Sequence, residues 1–217
     1  AHGLYDEFAR RQGKPFAGEK DPEYVRTLPL LRRLFPATRI VHIIRDGRDV
    51  ALSTLEWVTP SRYLGRLALW PEEPVAVCAL WWRRQVSAGR RGREAVGAEN
   101  CLEVRYEELV ESPDATARSI AEFLCLPFEP EMLDYHRGRT CLDPRLPSKD
   151  QWLPPTSGLR DWRTQFSLRD LQLFEVLAGE LLSSLDYPLA TKGRAPRSVI
   201  ATAKRCQRWW ETEVERR

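Results

Sequence analysis

Residues 40–53, IVHIIRDGRDVALS, contain the side chains of this chain that are best suited to binding an anion. A mostly β-branched run ends at Arg45, the chain turns at Asp46-Gly47, and a helical pattern follows that carries Ser53. A strand that turns directly into a helix brings its last side chains beside the helix N-terminus, where backbone N–H groups favour an anion. The guanidinium of Arg45 matches the geometry of a phosphate, and the hydroxyl of Ser53 can add a neutral hydrogen bond. The segment therefore predicts a phosphate pocket at the carboxyl end of a parallel strand.

The same residues also fit an ordinary strand–turn–helix connection that binds no ligand. In that interpretation Asp46 caps the helix, Arg45 is solvated and Ser53 has no special role. Because short motifs often match by chance, one segment does not decide between the two interpretations. Three further segments favour the binding site: residues 18–22 (GEKDP), 102–109 (LEVRYEEL) and 160–167 (RDWRTQFS).

Together these four segments resemble the sulfotransferase superfamily that uses 3′-phosphoadenosine 5′-phosphosulfate (PAPS), especially its bacterial and tyrosylprotein branches. The similarity extends over about residues 15–185. The resemblance implies that Arg45 and Ser53 hold the 3′-phosphate of PAPS and that Tyr106 lies against the adenine. It also implies that Lys20 lies beside the sulfuryl group during transfer. The implied activity is transfer of that group, without a metal, to a hydroxyl or amine of a small-molecule, glycan or peptide acceptor.

Two of these residues have equally good structural interpretations. Lys20 stands in a Lys-Asp-Pro sequence, which is typical of a solvated turn. Tyr106 fits a core aromatic whose hydroxyl is hydrogen-bonded. The sequence therefore leaves open both the catalytic role of Lys20 and the adenine contact of Tyr106.

The chain departs from the family pattern at three places. No Gly-rich phosphosulfate loop precedes Gly18, no catalytic base can be placed, and residues 155–157 read PTS where the family has R-K-G. We expect the first strand, the phosphosulfate loop and the first helix of the fold to lie before Ala1. The alternative is a catalytically inactive nucleotide-binding or protein-interaction module of the same fold. A phosphoryl-transfer relative is disfavoured, because no lysine-bearing phosphate loop or Mg²⁺ site is visible.

The hydrophobic pattern around these segments predicts alternating helices and strands. Residues 40–44 are apolar except for His42, which we interpret as a core side chain of a strand that is covered on both faces. A second short strand contains Leu102 and Val104, and a helix over residues 74–91 lies between the two. This order predicts an α/β fold with a parallel sheet and crossover helices. The family resemblance implies that the sheet is the centre of a three-layer, P-loop nucleotide-binding-like fold whose N-terminal strand–loop–helix is missing.

Further helices are predicted on either side of that unit. A helical stripe runs over residues 24–35, Ser112-Pro113 opens a helix, and Ser167 with Asp170 forms a capping box that opens another. Residues 1–190 are expected to form the sulfotransferase-like domain, and residues 191–217 a linker and a basic amphipathic C-terminal helix. One side of that last helix carries Val199, Ala203, Cys206, Trp210 and Val214.

Composition and charge exclude several other classes of protein. Apolar residues make up 42% of the chain, yet no apolar run is long enough to span a bilayer. The five scattered cysteines contain no C-x-x-C pair, so neither a disulfide framework nor a metal site is expected. The net charge of +3 originates in residues 192–217, where eight Lys and Arg accompany three Glu. The interspersed glutamates and the apolar stripe favour a docked helix and disfavour nucleic acid as a partner.

The acceptor is the least defined part of the prediction. Residues 59–70 are punctuated by proline and glycine and carry arginines and aromatics, so we expect a surface loop that contacts the acceptor. The sequence does not identify the acceptor, the cellular compartment or the oligomeric state.

Overall fold

The computed structural model describes residues 2–57, 72–134 and 160–213. Two strands, separated by helices, lie between further helices along these residues. The strands are β1 (Ile40–Ile44) and β2 (Cys101–Arg105). The helices are α1 (His2–Arg11), α2 (Leu28–Leu34), α3 (Gly47–Trp57), α4 (Pro74–Val96), α5 (Tyr106–Glu111), α6 (Pro113–Leu124), α7 (Trp162–Gln165), α8 (Leu168–Ser184) and α9 (Arg197–Glu213). Two short 3₁₀-helices are Pro22–Arg26 and Pro130–Met132.

Strands β1 and β2 are parallel, with Ile40 opposite Cys101 and Ile44 opposite Arg105. The chain between them contains α3 and α4, as expected of the crossover that parallel strands require. The predicted parallel pairing is therefore confirmed. Since both strands point the same way, the residues that follow their carboxyl ends meet at one edge of the sheet.

The prediction that β1 is covered on both faces is wrong for the described residues. His42 and Ile44 are buried, but Ile43, which points to the opposite face, is 49% exposed. Helix α4 covers the first face so closely that a Cβ on Gly89 would lie 2.8 Å from the Nε2 atom of His42. Within the part of the chain that the structure describes, no helix covers Ile43 in this way. An apolar run indicates a buried strand but does not tell how many faces are covered.

The stripe predicted as one helix over residues 24–35 forms two shorter elements. Asp21 caps the 3₁₀-helix Pro22–Arg26 by accepting a hydrogen bond from the Glu23 N–H. Helix α2 then begins at Leu28, with a proline in its first turn. A proline in the interior of one continuous helix would lack its N–H and clash with the preceding turn, so the chain restarts there.

Of the two predicted serine caps, one is confirmed and one is wrong. The backbone N–H of Asp170 donates to the Ser167 hydroxyl at 3.1 Å, and that hydroxyl donates to the Asp170 carboxylate at 2.7 Å. Ser112, by contrast, makes no side-chain cap bond to α6. Its backbone N–H instead closes the end of α5 by donating to the Glu108 carbonyl. The short helix α5, which ends at Glu111 just before Ser112, is not evident from the sequence pattern.

The core lies where α4, α8 and α9 pack on one another. The predicted apolar stripe of α9 faces inward, and the indole of Trp210 is fully buried. Its buried members are Val199, Ala203, Cys206 and Trp210. The fifth predicted member, Val214, lies outside the described residues. No helix among the described residues is both long and apolar enough to cross a membrane.

His42 is buried as predicted, but its Nδ1 atom has no hydrogen-bond partner in the described part of the chain. Burial and then the charge of Arg90 lower the pKa of His42 to about 4. The carboxylate of Glu103 lies 3.8 Å from Nδ1 and would favour the proton. Its charge is shared with Arg90, whose Nε lies 3.9 Å from the same oxygen. The ring is therefore neutral at pH 7.

This neutral histidine predicts a loss of stability in mild acid. In the unfolded chain His42 takes up a proton near pH 6.5, but in the folded chain only near pH 4. Since the unfolded state then binds more protons, the free energy of unfolding falls through this window as pH falls, by about 3 kcal/mol at most. Urea titrations at pH 7, 6, 5 and 4 should show this fall in the wild type and a shallower one in His42→Gln. Equal slopes in the two proteins would contradict the assignment.

Candidate functional site

The turn between β1 and α3 is held on two sides. Asp46 caps α3 by accepting a hydrogen bond of 2.9 Å from the Arg48 N–H, as the sequence predicts. The indole Nε1 of Trp82 donates to the Arg45 carbonyl at 3.1 Å. Gly47 lies so close to the same indole that a Cβ atom on residue 47 would lie 2.7 Å from the Cε2 atom of Trp82. These contacts fix the direction in which the Arg45 side chain leaves the turn.

Arg48 anchors this turn to the rest of the fold, a role that the sequence did not reveal. Its side chain is 0% exposed. It donates two hydrogen bonds to the Asp46 carboxylate, at 3.0 and 2.7 Å, and one of 2.8 Å to Glu175 in α8. It also donates to the Pro188 carbonyl at 2.9 Å, and its guanidinium lies 3.7 Å from the Trp162 ring. Because its charge and its donors are used internally, Arg48 is a structural arginine.

The structure brings Arg45 and Tyr106 together at the carboxyl edge of the sheet. The guanidinium carbon of Arg45 lies 4.6 Å from the centroid of the Tyr106 ring, a cation–π contact. Its Nη2 atom lies 3.4 Å from the Asp49 carboxylate, and its buried Nε atom has no partner among the described residues. With 22% of its side chain exposed, Arg45 keeps donor capacity on a partly open surface.

Ser53 is half-buried in α3, one helical turn after Asp49. Residues four apart share a face of a helix, so Ser53 lies on the same face of α3 as Asp49, the residue that Arg45 contacts. Burial raises the pKa of Asp49, while the nearby Arg45 charge opposes that rise. The two residues predicted to hold a phosphate therefore lie along one side of α3.

The segment around Trp162 also runs along this helix. The Trp162 N–H donates to the Asp49 carboxylate at 3.2 Å. Two residues earlier, the Nη2 atom of Arg160 lies 2.9 Å from the Glu56 carboxylate in the last turn of α3. The sequence singled out residues 160–167 as a motif but gave Arg160 no role of its own.

Lys20 is not brought into this group. It is exposed, and within the described ranges it forms no hydrogen bond or ion pair. The 3₁₀-helix that follows it is attached to α4, where the Gln85 amide donates to Glu23 at 2.6 Å. The surface loop predicted over residues 59–70 and the PTS sequence at 155–157 lie outside the described residues.

A cavity of about 350 Å³ opens beside the turn, and its wall includes Asp49 and Trp162. Glu107 joins the two strand ends there, because it accepts hydrogen bonds from the Asp46 N–H at 2.9 Å and from the Tyr187 hydroxyl at 2.8 Å. Burial, and then the charge of Glu107, raise the pKa of Tyr187, so its phenol stays neutral. Carboxylates outnumber arginines in the cavity wall, which does not suit an anion, and none of the four predicted site residues lines it. Across the described ranges, no three His, Cys, Asp or Glu side chains are placed to hold a metal ion.

Comparison with known proteins adds a family match. The model of a family described as "Sulfotransferase family" matches residues 1–130. Protein-tyrosine sulfotransferase A of Caenorhabditis elegans is 31% identical over 118 residues, which cover 54% of this chain and 30% of the relative. Protein-tyrosine sulfotransferase 1 of Danio rerio is 26% identical over 211 residues, covering 91% of this chain and 57% of the relative.

The fold has a match among solved structures as well. A structure titled "Sulfotransferase Domain from the Curacin Biosynthetic Pathway" superposes with a TM-score of 0.54 and 18% identity. The match covers 94% of this chain and 67% of that one. At such low identity the similarity is one of fold. The chain spans only 30% and 57% of the lengths of the two curated relatives.

Proposed function

This chain belongs to the sulfotransferase family, and from that premise we propose that it transfers a sulfuryl group from PAPS to an acceptor hydroxyl or amine. In this reaction the bond between sulfur and the bridging oxygen of PAPS breaks and a bond from sulfur to the acceptor forms. The acceptor proton passes to a base, and adenosine 3′,5′-bisphosphate leaves with the bridging oxygen on its 5′-phosphate. The protein must position both reactants and place cations around the spreading negative charge. We also propose that β1 and β2 belong to the parallel sheet at the centre of a three-layer fold.

The contact between Arg45 and Tyr106 is the observation that carries this proposal. A guanidinium and an aromatic ring 4.6 Å apart can bind the two ends of a 3′-phosphorylated adenosine, one at the phosphate and one at the base. Ser53 adds a hydroxyl on the adjoining face of α3. We therefore propose Arg45 and Ser53 as ligands of the 3′-phosphate and Tyr106 as the neighbour of the adenine.

Lys20 remains a proposed catalytic residue. Its ammonium group is exposed and unpaired within the described residues, so it is free to meet a bound ligand. A lysine beside the bridging oxygen would stabilise the charge that develops there as sulfur departs. The 3₁₀-helix that follows it is tied to α4, which limits how far Lys20 moves relative to the sheet.

For the acceptor we propose a peptide. The curated relatives are named for sulfation of protein tyrosine, whose phenol is a hydroxyl acceptor. Small-molecule and glycan acceptors are the alternatives to be tested against it.

The proposal is tested by measuring which nucleotide the full-length protein binds. Calorimetry should show tighter binding of adenosine 3′,5′-bisphosphate, the desulfated donor, than of AMP or ATP. Transfer from ³⁵S-labelled PAPS should then label a tyrosine peptide more strongly than the same peptide with phenylalanine. Preference for ATP would contradict the proposal and favour phosphoryl transfer. Binding of the bisphosphate without transfer to any acceptor class would identify an inactive nucleotide-binding module.

A further inference from the structure

Two arginines from distant parts of the chain approach the same helix and flank Ser53. Arg45 reaches α3 from the end of β1 and lies 3.4 Å from Asp49. Arg160 reaches it from the segment before α7 and lies 2.9 Å from Glu56. Since Ser53 stands four residues after Asp49 and three before Glu56, all three side chains share one face of α3. Both cations are therefore directed to the surface on which the serine lies.

Each of these arginines has donor capacity that the described residues do not use. The Nε atoms of Arg45 and Arg160 are both buried and without a hydrogen-bond partner in this part of the chain. Unsatisfied buried donors are unfavourable and are commonly completed by a ligand or water. A phosphate monoester carries nearly two negative charges and three acceptor oxygens, enough to serve both guanidinium groups at once.

The pair between Arg160 and Glu56 is one that a ligand can replace. The side chain of Arg160 is 14% exposed, so its position is held by packing, whereas Glu56 is 41% exposed. Because the Glu56 end of the pair is partly exposed, water screens the attraction between the two charges and lowers the cost of separating them. An entering phosphate can therefore replace the Glu56 carboxylate as the partner of Arg160.

We propose that Arg160 is the second cation of the phosphate site around Ser53, and that Glu56 is its counter-ion until phosphate displaces it. This inference rests on the proposed function, because it takes the ligand to be the 3′-phosphate of an adenosine nucleotide. Glu56 thus competes with the ligand for Arg160. Removing the two charges has opposite consequences: loss of Arg160 weakens binding, and loss of the Glu56 charge strengthens it.

Calorimetry with adenosine 3′,5′-bisphosphate and with AMP tests this on the full-length protein. Arg160→Gln should weaken bisphosphate binding by about ten- to a hundredfold and leave AMP binding unchanged. Glu56→Gln should strengthen bisphosphate binding by about threefold or more at low salt. Arg118 and Asp114 form an exposed ion pair at 2.7 Å on α6. Arg118→Gln and Asp114→Asn are therefore matched controls, and neither should change the affinity for the bisphosphate or for AMP.

The outcomes separate this inference from the function on which it rests. Suppose that the wild type prefers the bisphosphate. The inference is overturned if Arg160→Gln binds the bisphosphate as tightly as the wild type does, or if its affinity for AMP falls by the same factor as its affinity for the bisphosphate. If Arg160→Gln does not fold, Glu56→Gln decides, and unchanged or weaker binding in that variant overturns the inference. If the wild type does not distinguish bisphosphate from AMP, the proposed donor is wrong. In that case the phosphate site is tested separately, by measuring how much inorganic phosphate raises the thermal unfolding temperature of the protein. If Arg160→Gln abolishes that rise, the site is supported. If the variant keeps the rise, the inference is overturned.

Discussion

Replacing Arg48 with alanine is expected to lower the free energy of unfolding by about 3–5 kcal/mol. The substitution removes the only charge partner that the described residues offer Glu175, and it leaves Asp46 without its guanidinium. Both carboxylates are buried, and an uncompensated buried charge is far more costly than the loss of an exposed pair. Urea denaturation followed by tryptophan fluorescence measures the change, and the turn that carries Arg45 should loosen with it.

A second substitution tests whether buried charge is the cause. Arg48→Ala combined with Glu175→Gln should regain part of the stability, because one of the two uncompensated charges is gone. The glutamine can still accept one of the two hydrogen bonds that the Ala190 and Thr191 N–H groups donate to different oxygens of Glu175. Arg118→Ala removes an exposed arginine and should leave the urea midpoint where it is. A midpoint for Arg48→Ala close to that of Arg118→Ala would show that the buried network contributes little.

What the sequence predicted well depends on residues that are close together in the chain. The strand, turn and helix of residues 40–53 are signalled by β-branched residues, by Asp46-Gly47 and by helical spacing, all within one segment. The capping box at Ser167 is likewise local and is confirmed. The family assignment, confirmed by the match over residues 1–130, rested on four such segments in the correct order.

What the sequence could not predict depends on partners far apart in the chain. Arg48 and Glu175 are 127 residues apart, and nothing near either one indicates that they meet. The pair of Arg160 with Glu56 spans 104 residues in the same way. Such pairings follow from how α3, α7 and α8 pack, so an arginine that anchors the fold and one that approaches a site look alike in sequence. The exposure of Ile43 is a further case, because covering a strand face depends on elements elsewhere.

Arg45→Ala is expected to weaken binding of adenosine 3′,5′-bisphosphate by about ten- to a hundredfold, corresponding to roughly 1.5–3 kcal/mol for a charge-assisted hydrogen bond. The substitution removes the planar donor group but leaves the turn in place, since Trp82 bonds the backbone carbonyl of residue 45. AMP binding should change little, because it lacks the 3′-phosphate. Arg45→Lys should recover only part of the affinity, because an ammonium group cannot form the two parallel bonds of a guanidinium.

Arg105 provides the matched control, since it ends the neighbouring strand and lies 4.5 Å from the ring of Tyr187, much as Arg45 lies over Tyr106. Arg105→Ala removes the same charge and the same kind of ring contact from the same edge of the sheet. If the phosphate is held by a specific pocket, Arg105→Ala should leave the affinity for the bisphosphate nearly unchanged. If instead both alanine variants weaken binding equally and the loss disappears at high salt, the edge attracts nucleotides only through its general positive potential, and Arg45 is not the anchor.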